Sequence, residues 1–264
     1  MKIALIYHEK LREYDFGSGH PFRGDRFTDF MRLFKELKLH EDPTFDIVEP
    51  KPADDRDLLL VHDSGYISLL KRMNEKGGML TLDTPMHPGI FEAAKLLVGS
   101  SLTAADLVGK GTYVKGVAIG GGLHHAARDR GGGFCLLNDV AISVAHLLRK
   151  YSLKRVLILD TDAHAGDGTS EIFYGDPRVL FISMHQDPLT LYPGVGFVDE
   201  IGTGDGTGYN VNVPLPPMAS DSSFKHVFSE IVDPLASEFK PEVVFRNGGS
   251  DPHFADGLTN LGLT

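Results

Sequence analysis

Short apolar runs alternate along this chain with segments of helical period. KIALIY (2–7), DLLLVH (57–62), VKGVAIGG (114–121), RVLILD (155–160), RVLFISMH (178–185) and EVVFRN (242–247) read as strands. Segments 25–38, 64–74, 90–108, 138–150 and 222–238 read as helices, and 202–217 as a loop carrying one short strand. Strands alternating with helices imply βαβ units and a mostly parallel sheet covered on both faces, hence an α/β fold. The opening MKIALIYHEK has too short an apolar run and no small-residue cleavage site, so it reads as a first strand rather than a signal peptide. Without repeats or low-complexity tracts, residues 1–264 read as a single domain.

Ligands of such sheets gather at the carboxyl ends of the strands. Polar residues cluster at those ends here: GGGLHH after one strand, DTDAH after a second, SMHQD after a third and NGGSD after a fourth. The pattern is that of one site fed by several loops.

Composition narrows the partners. A formal net charge of −10 argues against a domain built to grip a phosphate backbone, and it leaves a cationic substrate open. No apolar run approaches the about 20 residues a membrane helix needs. The lone cysteine, Cys135, excludes an internal disulfide framework and fits a reducing cytoplasm. Oligomeric state is not legible.

The chemistry concentrates in LDTDAHAGDG. Asp162 and His164 lie two apart, so on a straight strand both side chains face one way. A carboxylate and an imidazole together suit zinc or another borderline divalent ion. Asp251, after the strand EVVFRN and three small residues, is the natural third ligand. Three ligands with an open position are the layout of a catalytic ion. Singly, each aspartate is better read as a helix cap and His164 as a core histidine; three together at strand ends reverse that reading.

His124 and His125 form a tandem pair suited to moving the proton of a metal-activated water. Pairing His124 with Asp160 and His125 with Asp167 gives two oriented dyads. The alternative, that the pair itself binds metal, is disfavoured because adjacent histidines diverge in most backbone conformations.

GGGLHHAARDRGGGFCLLNDVAI, LDTDAHAGDGTSEIFY and NGGSDPHFADGLTNL resemble the histone deacetylase superfamily, including its acetoin-utilisation and acetylpolyamine amidohydrolase branches. GSGHPFRGDRF, LLLVHDSGYISLL and TPMHPGIFEAA are similar to the same family in the same order. The resemblance implies a three-layer α/β/α fold of the arginase/deacetylase kind. It implies zinc (iron or cobalt fitting the same ligands) at Asp162, His164 and Asp251, with His124 and His125 as base and acid. Asp160 and Asp167 become the carboxylates behind them. Phe134, with Gly133, and Tyr192 become walls of an acyl-lysine channel, Asp83 the rim carboxylate, and Arg26 an arginine behind an acetate-release cavity. Potassium is expected beside the zinc strand at Asp160, Asp162, His164 and Ser183. The implied reaction is hydrolysis of an N-acetyl group from acyl-lysine or a small acetylated amine.

Two departures stand out. Ala165 replaces a second histidine common in the family, which predicts altered surroundings for the ion rather than its loss. The family's transition-state tyrosine lies in a Gly-rich turn beyond the third ligand, and none of the eight tyrosines here sits in one. The expectation is that this chain lacks a C-terminal part carrying that turn and a further central strand. Loss of such a donor costs on the order of 10²–10³ in rate.

Other readings remain. A two-manganese ureohydrolase needs a further aspartate where Gly166 stands, so one metal is the better count. A deacetylase-like binding module, impaired for want of the tyrosine, predicts zinc binding without turnover. A phosphate loop at GTGDGTG (202–208) lacks the required strand–helix setting.

Overall fold

The computed structural model describes residues 2–264. It divides into two compact units, Met1–Tyr151 and Ser152–Thr264. The expected α/β character with parallel pairing holds in each.

In the first unit, β1 (Ile3–Ile6) runs between β2 (Phe45–Val48) and β5 (Lys115–Ala118), all parallel, with Ile3 opposite both Phe45 and Lys115. β3 (Gly78–Thr81) and β4 (Thr84–Met86) form a separate antiparallel hairpin. The helices are α1 (Asp25–Glu36), a single turn α2 (Asp55–Leu58), α3 (Ser64–Lys76), α4 (Ile90–Gly109) and α5 (Asp139–Lys150). α4 buries residues on every side, because it packs on α5, β1 and β5 at once. Gly116 lets β5 approach that helix: a Cβ there would lie 2.9 Å from the Ala104 methyl.

In the second unit, four parallel strands run in the order β8-β7-β6-β9: β6 (Val156–Asp160), β7 (Val179–Gln186), β8 (Asn210–Leu215) and β9 (Val243–Asn247). β6 and β7 are buried at every position, as central parallel strands with both faces covered must be. Leu157, Leu159, Leu180, Ile182 and Met184 pack there with Phe224, Val227 and Val232. α6 (Asp167–Phe173) follows β6.

The helix expected at 222–238 spans α7 (Asp221–Val227) and α8 (Asp233–Phe239), joined without a break by a π-helical segment, Phe228–Val232. Pro234 accounts for the widened turn. It has no N–H to give and its ring excludes the carbonyl four residues back, so the ladder loosens over that stretch.

DLLLVH is not a strand. Asp54 accepts the N–H groups of Arg56 and Asp57 while the Asp57 carboxylate accepts the Asp54 N–H, a capping box that starts α2. The apolar run then turns, burying Leu58 and Val61 and leaving Leu59 exposed. The segment ends on His62, buried to 2% exposure. Its Nδ1–H donates to the Ala127 carbonyl (2.8 Å), so Nε2 accepts the Asn138 N–H (3.0 Å). Both ring nitrogens are thus committed in the neutral form. Burial drives the imidazole down to about 4, against the backbone hydrogen bonds that favour its charge.

A pH dependence follows. The unfolded chain takes a proton on His62 below its usual value of 6.5, and the folded chain resists until about 4. Stability is therefore complete above pH 6.5 and is lost as pH falls through that window, by about 3 kcal/mol at its foot. Urea unfolding at pH 7 and pH 4.5 measures it; His62→Gln should be less stable at pH 7 and show a smaller acid loss than the unaltered chain.

Candidate metal centre

β6 ends on Asp160, which lies in register with Ser183 on β7 and Asn247 on β9. The buried Asp160 carboxylate accepts from Asn247 Nδ2 (3.0 Å) and from the Asp162 N–H (3.2 Å). The chain bends away immediately, so Asp162 and His164 sit beyond the strand and not on it. Strand alternation is therefore not what brings them together. The bend is held by Thr161, whose N–H donates to the Asn247 carbonyl (3.0 Å) and whose hydroxyl accepts from Arg246 Nη2 (3.0 Å).

Asp251 arrives from the end of the neighbouring strand. Ligand atoms of Asp162, His164 and Asp251 all lie within 4.8 Å of one another. His164 Nδ1 is 3.1 Å from Asp162 Oδ1 and 2.8 Å from Asp251 Oδ2. Donors about 3.3 Å apart are what a tetrahedral ion with bonds near 2.0 Å requires, so the spacing suits such an ion after a small expansion. The Ala163 N–H donates to Asp251 Oδ1 (3.1 Å) and the His164 N–H to Asp162 Oδ1 (2.8 Å), which orients both carboxylates. Gly249 leaves the cradle open: an added Cβ would stand 2.1 Å from Asp162 Oδ2 and 2.6 Å from Asp251 Oδ1.

The electrostatics point the same way. Burial, with the Asp162 charge beside it, raises Asp251 to about 6. Burial alone would lower His164, but its hydrogen bonds to Asp162 and Asp251 outweigh that and hold it at about 9. Two carboxylates this close favour a positive charge between them, carried by a protonated imidazole or by a cation.

The other expected residues of this unit lie close by in the chain. Ser183 is fully buried; its hydroxyl is 2.8 Å from His185 Nδ1, whose Nε2 meets the Gly196 carbonyl at 2.9 Å. Tyr192, half exposed, sets its ring edge-on to His164 with centroids 6.3 Å apart. Asp167 opens α6. Ala165 is buried under Gly196, where a Cβ would come within 2.8 Å of its methyl. It offers no ligand atom.

In the first unit, His124 and His125 are buried at 2% and 8% exposure. They do not diverge. Their Nε2 atoms are 3.1 Å apart, a distance at which one ring can donate to the other. The reason is the turn before them: Gly122 at φ +102°, with the His124 N–H folded back on the Gly122 carbonyl. Asp139 anchors that turn, accepting from the N–H groups of Gly122 (3.0 Å) and Leu123 (2.7 Å) and from the Ser101 hydroxyl. Burial raises its carboxyl above the usual range. Asn138 caps α5 through the Ala141 N–H and gives its amide hydrogens to the Ala126 and His124 carbonyls.

Phe134 follows Gly133, and both adopt positive φ (67° and 53°). For a phenylalanine this is strained, and two polar contacts hold it. Its carbonyl accepts from the buried Tyr14 hydroxyl (2.6 Å) and its N–H donates to Thr84 Oγ1 (3.2 Å). Thr84 passes its own hydrogen to the Asp83 carboxylate (2.9 Å), which ties the aromatic to the hairpin tip. His20 Nε2 donates to the Asp83 carbonyl (3.0 Å) and its ring meets Phe134 edge-on. Arg26 is exposed, with its guanidinium 4.6 Å above the Phe22 ring.

The histone deacetylase domain profile matches residues 20–264. The chain belongs to the histone deacetylase family. A "Probable deacetylase" of Archaeoglobus fulgidus is 42% identical over all of this chain and 73% of its own length. The acetoin utilization protein AcuC of Bacillus subtilis is 40% identical over 99% of the chain and 69% of its own length. Among solved structures, the HDA15 HD domain superposes with a TM-score of 0.91 at 28% identity, covering 99% of this chain and 78% of that one. These likenesses place the chain among hydrolytic deacetylases.

Reading the sequence missed four supports of this deacetylase: His62, Asp139, Thr84 and Tyr14. Only one carried a visible signal, since an Asn-Asp pair opening an apolar helix is a capping pattern. The others act on backbone atoms far away in sequence, for which no spacing rule exists.

Gly249→Ala should weaken binding of a divalent ion at the triad by about tenfold or more, because the new methyl occupies space between the two carboxylates. Calorimetric titration with Zn²⁺, alongside circular dichroism to establish that the variant is folded, measures it; equal affinity would remove the triad as the ligand set.

Proposed function

We propose that this deacetylase is metal-dependent, with zinc held by Asp162, His164 and Asp251, and that it removes an acetyl group from an acyl-lysine side chain or a small acetylated amine. The convergence of two carboxylates and one imidazole nitrogen around Gly249 carries the reading. The mixed oxygen and nitrogen donor set fits zinc, and iron(II) or cobalt(II) equally. When bound, the ion supplies positive charge that polarises an amide carbonyl and makes water more acidic.

The chain's own residues supply the rest. His124 and His125 are assigned to proton transfer; one imidazole takes the proton of water and one returns a proton to the departing amine. Their Nε2 separation of 3.1 Å suits two rings that share one proton. The pairing of these rings with Asp160 and Asp167 belongs to this proposal and rests on the family resemblance. Tyr192 beside His164 and Phe134 in its braced turn are assigned to the apolar stem of the substrate, with Gly133 giving room at the turn and Asp83 binding the substrate backbone. A potassium ion at Asp160 and Ser183 is supported by their direct opposition across β6 and β7. The negative net charge favours an amine-bearing substrate over a polyanion. The buried lone cysteine fits a cytoplasmic setting. Among the described residues no helix is long and apolar enough to cross a membrane.

The test is release of free amine from a fluorogenic acetyl-lysine peptide and from an acetylated diamine. Turnover should vanish on chelation and return with Zn²⁺; activity that survives complete metal removal overturns the proposal. His125→Ala should lower kcat by about 10²–10⁴ while zinc stoichiometry stays near one. Zinc uptake with no turnover by the unaltered protein would favour the binding-module reading.

A further inference from the structure

Gln186 closes β7 at 1% exposure and belongs neither to the metal triad nor to the apolar core. Its polar groups reach three different loops. The backbone N–H donates to the Ala163 carbonyl (2.9 Å), the residue between Asp162 and His164. The side-chain Oε1 accepts the Asn260 N–H (2.8 Å), in the segment that follows Asp251. Nε2 donates to Thr190 Oγ1 (3.0 Å), two residues before Tyr192.

The orientation of this amide is forced. A backbone N–H can only donate, so the oxygen must face Asn260. The Thr190 hydroxyl gives its hydrogen to the Asp187 carbonyl (2.8 Å), so it must accept from nitrogen. The Asn260 segment is in turn fastened to the ligand. Thr259 donates its hydroxyl hydrogen to the Asp251 carbonyl, and the Asp256 carboxylate takes the N–H groups of Leu258 (2.7 Å) and Thr259 (3.2 Å).

We propose that Gln186 is a positioning residue that sets the spacing of the Asp162–His164 loop against the Asp251 loop and ties the Tyr192 loop to both. The inference rests on the metal-dependent reading above. A carboxamide suits the task because one planar group carries a donor and an acceptor pointing to opposite sides. An apolar side chain of equal length would fill the space and hold neither the Asn260 segment nor the Thr190 loop.

Gln186→Met removes both side-chain bonds and keeps the backbone N–H on Ala163. Its zinc affinity, measured by competition with a chromophoric chelator well below the melting temperature, should fall about 10–100-fold with stoichiometry still near one. Thr190→Val cuts the arm toward Tyr192 and the local bond to the Asp187 carbonyl while leaving the Gln186–Asn260 bond intact, and its zinc affinity should stay within about threefold of the unaltered protein. A purely structural role predicts a lower melting temperature for Gln186→Met with unchanged zinc affinity, and that result overturns the proposal. So does an equal loss in both variants. Hydrogen exchange on the unaltered protein needs no variant: the Asn260 amide should be protected, and more so with zinc, whereas exchange at the rate of a free loop overturns the link. If the unaltered protein takes up no zinc, the metal-dependent reading itself falls and this inference with it.

Discussion

Two carboxylates and an imidazole nitrogen within 4.8 Å cannot all keep their ordinary charges, and the second unit is arranged around that constraint. The crowding is visible in the groups themselves, with Asp251 held up at about 6 and His164 at about 9. Left to relax, such a cluster would spread apart or keep a proton. It stays together because backbone donors fix it. Ala163 grips Asp251, His164 grips Asp162, and the bend just before them is stitched to β9 through Thr161 and Asn247. Repulsion between the two carboxylates is therefore opposed by the sheet, and a cation placed there would relieve it.

Parallel pairing makes this possible. Neighbouring parallel strands end on the same side, so loops leaving β6 and β9 begin side by side, with Asp160 opposite Asn247. One hydrogen bond between these two residues fixes where both loops start. An antiparallel neighbour would have sent its following loop to the far end of the sheet.

Much of this was legible in the sequence, for reasons that differ from residue to residue. β6 and β7 announce themselves because each opens with an unbroken apolar run, Val156–Leu159 and Val179–Ile182, as strands covered on both faces do. Asp162, His164 and Asp251 stood out as candidate ligands because carboxylates and imidazoles directly after such strands have few structural reasons to be there. DLLLVH misled because its apolar run is as strand-like as the others, while the deciding capping box lies in Asp54 and Asp57 at and before its start. FDIV, which forms β2, was passed over because Asp46 interrupts it. That carboxylate lies instead at the edge, paired with Lys2 at 2.9 Å. The approach of His124 to His125 could not be read at all, since it depends on the φ of Gly122.

The supports that escaped notice share one physical trait. His62, Asp139, Thr84, Tyr14 and Gln186 are each buried, and each makes at least one hydrogen bond to loop backbone, with side-chain bonds added at Asp139, Thr84 and Gln186. A buried polar group is costly unless satisfied, so a loop that satisfies it is bound to one geometry. The cost of displacing the loop is then the cost of stranding a buried donor or acceptor, of order 1–3 kcal/mol for each. Apolar packing is non-directional and tolerates small slips; these bonds do not. Buried polar anchors therefore fix a loop to one geometry, and both units of this chain place them beside the candidate ligands and imidazoles.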